Sequence, residues 1–120
     1  MSSNLMSSNL FRKIDYKNDP YCIVKDALNM MNRYSFPKAV NYWLNGISYD
    51  GDGGGIDFPD EEDNFESVRC YYLGGFDEEE TVVSKEEFFS LLKQACKRYI
   101  ELHPEKREEL EQIMSQSTLV

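Results

Sequence analysis

Histidine is almost missing from this chain: His103 is the only one, and it stands before Pro104, where a polar hinge residue belongs. Catalysis through a histidine needs a nucleophile or acid within hydrogen-bond reach, and no residue pattern marks one, so acid–base or nucleophilic chemistry at His103 is disfavoured. The cysteines are few and odd in number, Cys22, Cys70 and Cys96, and far apart. That spacing fits neither a disulfide framework nor paired zinc ligands, and it reads as free thiols in a core. No run of about 18 apolar residues and no charged-then-apolar leader is present, which predicts neither a membrane span nor a secretory signal and makes the cytoplasm the expected compartment.

Positive charge is lacking where it would matter most. From Asp50 to Glu80 the sequence DGDGGGIDFPDEEDNFESVRCYYLGGFDEEE holds twelve carboxylates against one base, Arg69. The flanks are nearly balanced, with six bases and three acids in residues 1–49 and six bases and seven acids in residues 81–120. The net charge of −9 is therefore focused in one middle segment. Such a surface repels nucleic-acid phosphates and anionic lipid, and it attracts cations or basic proteins.

What is present is enough for a core. The 120 residues include eight Tyr, seven Phe and one Trp, suited to one domain of common size. The opening MSSNL is repeated at once, too short for a structural repeat; residues 1–9 read as disordered or artificial, 10–116 as a single domain and 117–120 as a frayed tail. Phe11 and Ile14 suggest a short helix ending near Tyr16. Asp19-Pro20 is a helix start, and Ile23, Val24, Ala27, Leu28 and Met31 recur at helical spacing, predicting a helix from Pro20 to Tyr34. Val40, Trp43 and Leu44 line a shorter helix that Asn45-Gly46 should stop, with Trp43 in the core. Pro59 leaves any strand around Ile56 and Phe58 short. Ser67 to Leu73 is a better strand, Gly74-Gly75 offers a turn, and Glu80 to Val83 can return beside it. Ser84 with Glu87 forms a capping box for a helix through Phe88, Leu91, Leu92, Ala95, Tyr99 and Leu102, and after Pro104 a last helix carries Leu110, Ile113 and Met114. The class is α+β: a single domain of about four to five helices packed on one side of a small antiparallel sheet.

Two features of the acidic stretch could carry function. Counting Asp50 as position 1 of an EF-hand loop puts Asp52 at 3, Gly55 at 6, Ile56 at 7 and Glu61 at 12, a calcium ligand set of Asp50, Asp52, Ile56 and Glu61. Gly54 at position 5, Asp57 at 8 and Pro59 all depart from that pattern, and a turn between a helix and a sheet explains the same residues. The alternative is a protein-binding surface made of Asp50, Asp52, Asp57, Asp60, Glu61, Glu62, Asp63 and Glu66, with Asp77, Glu78, Glu79 and Glu80 in support. Taken alone, Asp77–Glu80 reads as a solvated hairpin tip. Aromatics interleave these carboxylates at Tyr49, Phe58, Phe65, Tyr71, Tyr72 and Phe76. Tyr49 and Phe58 are the expected anchors within a charged rim.

The segments NYWLNGISYDGDGGGIDFPDEEDNFESVRCYY and VVSKEEFFSLLKQACKRYIELHPEKREELEQI resemble the immunity proteins of bacterial contact-dependent growth inhibition (CDI) systems, in particular those paired with ribonuclease toxins. The likeness runs from about Leu10 to Met114, and its most distinctive pieces are Trp43–Phe58 and the join from Val82 to Phe88. No fixed motif of the family transfers a site residue. The resemblance implies a protein that performs no chemistry and needs no cofactor. Its partner would be the basic C-terminal nuclease domain of a CDI toxin, whose substrate-binding surface the acidic stretch would cover. A calcium-binding module and a general acidic adaptor are the rival readings.

Overall fold

The computed structural model describes residues 10–31, 36–51, 53–58, 67–73 and 78–116, with the side chain of Glu78 outside that set. In order these form α1 (Cys22–Met31), α2 (Phe36–Leu44), β1 (Tyr49–Gly51), β2 (Gly54–Asp57), β3 (Ser67–Leu73), β4 (Glu78–Ser84), α3 (Lys85–Leu102), a 3-10 turn (Pro104–Lys106) and α4 (Arg107–Ser115). Among the described residues, four helices and a four-stranded antiparallel sheet of order β1-β2-β3-β4 make one compact α+β domain, as the sequence predicts.

Most starts and stops come from the residues expected. The Asp19 carboxylate accepts the Tyr21 N–H at 2.8 Å just ahead of α1. Gly46, with a φ of 72°, ends α2 by donating its N–H to the Trp43 carbonyl at 3.0 Å. Ser84 accepts the Glu87 N–H at 3.0 Å while Glu87 accepts the Ser84 N–H at 2.9 Å, a complete capping box on α3. The N-terminal segment differs from expectation. Residues 11–16 are not helical. Instead Asn29 of α1 accepts the Phe11 N–H and donates to the Phe11 carbonyl, both at 2.9 Å, so a tertiary strap takes the backbone partners a helix would use. The expected end of α1 at Tyr34 and the Gly74-Gly75 turn lie outside the described residues, as do residues 1–9 and 117–120.

Side-chain alternation divides the sheet into two faces. Val68, Cys70, Ile56 and Val83 point inward and are buried, and α1 packs over β2 and β3 on that side. The helices close the core around Trp43, which meets Phe36 and Phe88 edge-on at 6.4 and 6.0 Å. Trp43 is fully buried, as expected. The outward row is different in kind. The register pairs Asp50 with Gly55, Gly55 with Tyr71 and Tyr71 with Glu80, while Asp57 pairs with Arg69 and Arg69 with Val82. Directly paired residues share a face, so these side chains all stand on the side away from the core.

Candidate functional site

The outer face of the sheet gathers three carboxylates of the described strands, Asp50, Asp57 and Glu80. Arg69, at its centre, donates from Nη1 to Asp57 at 2.9 Å and from Nε and Nη2 to Glu80 at 2.6 Å. Its guanidinium lies 4.6 Å from the centre of the Tyr71 ring. Partial burial works against the charge, but the hydrogen bonds and fields of Glu80 and Asp57 prevail and raise the Arg69 pKa. The arrangement is a charge row, acid on β2, base on β3 and acid on β4, held by cross-strand contacts.

Asp50 completes it. Burial pushes its carboxyl up to about 6, the neighbouring Asp57 carboxylate adds to that rise, and Tyr71 and Arg69 oppose it. By surface area Asp50 is exposed, so solvent moderates that burial. Its side chain lies across Gly55, where an added Cβ would collide with the carboxylate. The preceding residue is equally constrained: a Cβ on Gly54 would meet the Tyr71 carbonyl at 2.6 Å. These glycines therefore serve close approach of strands and of Asp50. The Tyr71 hydroxyl is pushed up to about 12, first by burial and then by the charges of Asp50 and Asp57.

Other candidate residues divide differently. Glu79 is exposed and pairs with Tyr72 on the opposite row from Glu80, where its charge helps raise the Asp26 pKa, although burial is the larger cause. Tyr49 is half-buried and stacks on Tyr42 with ring centres 5.1 Å apart. Phe58 corrects an expectation. It is 8% exposed, T-shaped to Phe88 at 5.7 Å and stacked on Phe89 at 6.0 Å, so its ring belongs to the core and is not offered to a partner. Ser48 Oγ fixes it there by accepting its backbone N–H at 2.8 Å. Asp52, Asp60, Glu61, Glu62, Asp63, Glu66 and Asp77, with Phe65 and Phe76, lie outside the described residues.

The EF-hand count is also corrected over its described part. β1 and β2 pair antiparallel, with Tyr49 facing Ile56, Asp50 facing Gly55 and Gly51 facing Gly54. An EF-hand loop turns its position-7 carbonyl toward a central ion. Ile56, which holds that position, instead sits in a strand paired on both sides and buries its side chain. Among the described residues no group of three or more His, Cys, Asp or Glu converges as a metal would require. Cys70 and Cys96 are buried thiols pushed up to about 12 by burial, Cys22 is a half-buried free thiol, and the His103 ring lies 4.6 Å from that of Tyr99, tilted by 37°.

Arg69 is the residue whose role composition alone misses, since as a count it is merely the exception in an acidic run. Reading β3 with a period of two would find it, because Val68 and Cys70 claim the inner face and leave Arg69 and Tyr71 outside. Among the described residues no helix is long and apolar enough to cross a membrane. A model of the CDI immunity protein family matches residues 20–114. A comparison with curated proteins finds no match.

Proposed function

The chain belongs to the CDI immunity protein family, and on that premise we propose that it neutralises a nuclease toxin, in particular a ribonuclease, by laying an acidic surface over the toxin's basic substrate-binding surface. The coarser role, immunity against a cognate CDI toxin by binding it, comes with the family. Support for the finer one comes from the outer face of the sheet. Asp50, Asp57 and Glu80 stand there around one base, Arg69, and the side chains of Asp57, Arg69 and Glu80 are 32%, 37% and 54% exposed.

Nucleases must attract a polyanion, so their substrate surfaces carry positive potential. An inhibitor that presents fixed carboxylates competes for that potential, speeds encounter and excludes substrate without forming a covalent bond. Rigidity helps it. Carboxylates held by strand register and by Arg69 lose less conformational freedom on binding than carboxylates on free loops. The remaining acids of the Asp57–Glu66 segment, with Asp77 and Glu78, would extend the same surface, whereas Glu79 and Tyr49 stand on the opposite row. The protein performs no catalysis in this scheme and acts in the cytoplasm of the cell that makes it.

The test is co-expression of the chain with the toxin domain encoded beside it. Cells that survive only with the chain present, together with RNA that stays intact, would support the reading. Survival with the toxin's RNA or DNA cleavage still proceeding would overturn it.

A further inference from the structure

The two edges of the sheet are unlike. β1 spans three residues, whereas β4 spans seven, and among the described residues no strand pairs with the side of β4 away from β3. An edge strand of that length presents a row of backbone donors and acceptors ready for another chain. Proteins usually blunt such an edge with a proline, a bulge or charged side chains. β4, reading EEETVVS, has no proline, its three glutamates guard the edge against acidic strands but not against basic ones, and its Val82 is 59% exposed.

The charge row across the outer face indicates what would fit. From β2 to β4 it runs Asp57, Arg69, Glu80, each linked to the next by an ion pair, and it stops at the edge on an acid whose side chain is 54% exposed. A fifth strand would lie about 4.8 Å further on, within reach of Glu80 for a Lys or Arg. A second copy of this chain is a poor candidate, because each copy carries −9 and would bring its own glutamates to the seam.

We propose that β4 receives an extended segment of the cognate toxin as a fifth antiparallel or parallel strand, with a Lys or Arg beside Glu80 and an apolar residue beside Val82. This rests on the toxin-binding reading above and deepens it: main-chain hydrogen bonds supply the contact, and the charge row selects a basic strand. Alanine substitution alone would understate such a contact, because the backbone carries much of it.

Amide hydrogen exchange, read by NMR on the full chain alone and in complex with the toxin domain encoded beside it, tests the proposal. In the complex, the β4 amides that β3 leaves unpaired exchange about tenfold or more slowly than in the free chain. Glu80→Lys, an exposed change that spares the core, weakens the complex. An intact complex in which β4 exchange is unchanged would sink the edge proposal and leave toxin binding standing. Failure to form any complex would overturn both. Protection of β4 that grows with the concentration of the chain alone would assign the edge to a second copy and overturn the toxin strand.

Discussion

The same strands present two chemically opposite faces. Inward, Ile56, Val68, Cys70 and Val83 are buried and uncharged; outward, one residue along, stand Asp50, Asp57, Arg69, Tyr71 and Glu80. The inner row follows from the need of a small domain to bury apolar surface, and it would look similar in a protein with any function. Solubility would be served by scattered polar residues, so the outer row's concentration of acids around one base is what calls for a partner. On the proposed reading, stability and recognition sit on opposite sides of a single layer, and substitutions can separate them.

The largest separation comes from Phe88→Ala. Phe88 is fully buried between Trp43 and Phe58, and its loss costs about 3–5 kcal/mol in denaturant unfolding. Toxin association per folded molecule stays unchanged. Gly55→Ala blurs the comparison on purpose: the new Cβ drives Asp50 off its seat, costs about 1–3 kcal/mol and also slows toxin binding. Ser84→Ala removes the capping box at the head of α3, a local loss of about 1 kcal/mol in thermal unfolding with no effect on the outer face.

The smallest effect is the most specific. The folded pKa of Asp50, about 6, lies above its unfolded value, so the folded state holds the extra proton and stability falls as pH rises from about 4 to 6, then levels off. Because Asp50 is exposed, solvent screening limits that penalty to below about 1 kcal/mol. Asp50→Asn should remove this part of the pH dependence and slightly stabilise the protein at pH 7, while weakening the toxin complex. A pH series of urea melts reads the first effect. A steeper fall in the variant over that window would contradict it.

Elements with strong local signals were legible from residues alone. The β3 span Ser67–Leu73 matches the predicted strand, and the Ser84–Glu87 box marks the head of α3. The β1–β2 pairing was not legible, because its glycines look like a turn and only the Asp50 carboxylate lying across Gly55 explains why a side chain is excluded there. Phe58 has acidic neighbours and a following proline that suggest exposure, whereas its burial depends on Phe88 and Phe89, thirty residues away. The acidity of the site could be counted in advance, but its grouping could not. Which carboxylates share a face depends on register across three strand pairs, and that register places Glu80 with Arg69 and Glu79 on the other side.

The central claim is that the outer-face carboxylates steer a basic toxin. Stopped-flow association with the toxin domain, over a range of salt and with Asp50→Lys/Glu80→Lys beside the native chain, tests it most directly. The account predicts that the native on-rate falls steeply as salt rises, and that the double variant starts about tenfold or more slower at low salt with a flatter dependence. Equal on-rates for the two proteins with the same salt dependence would contradict it.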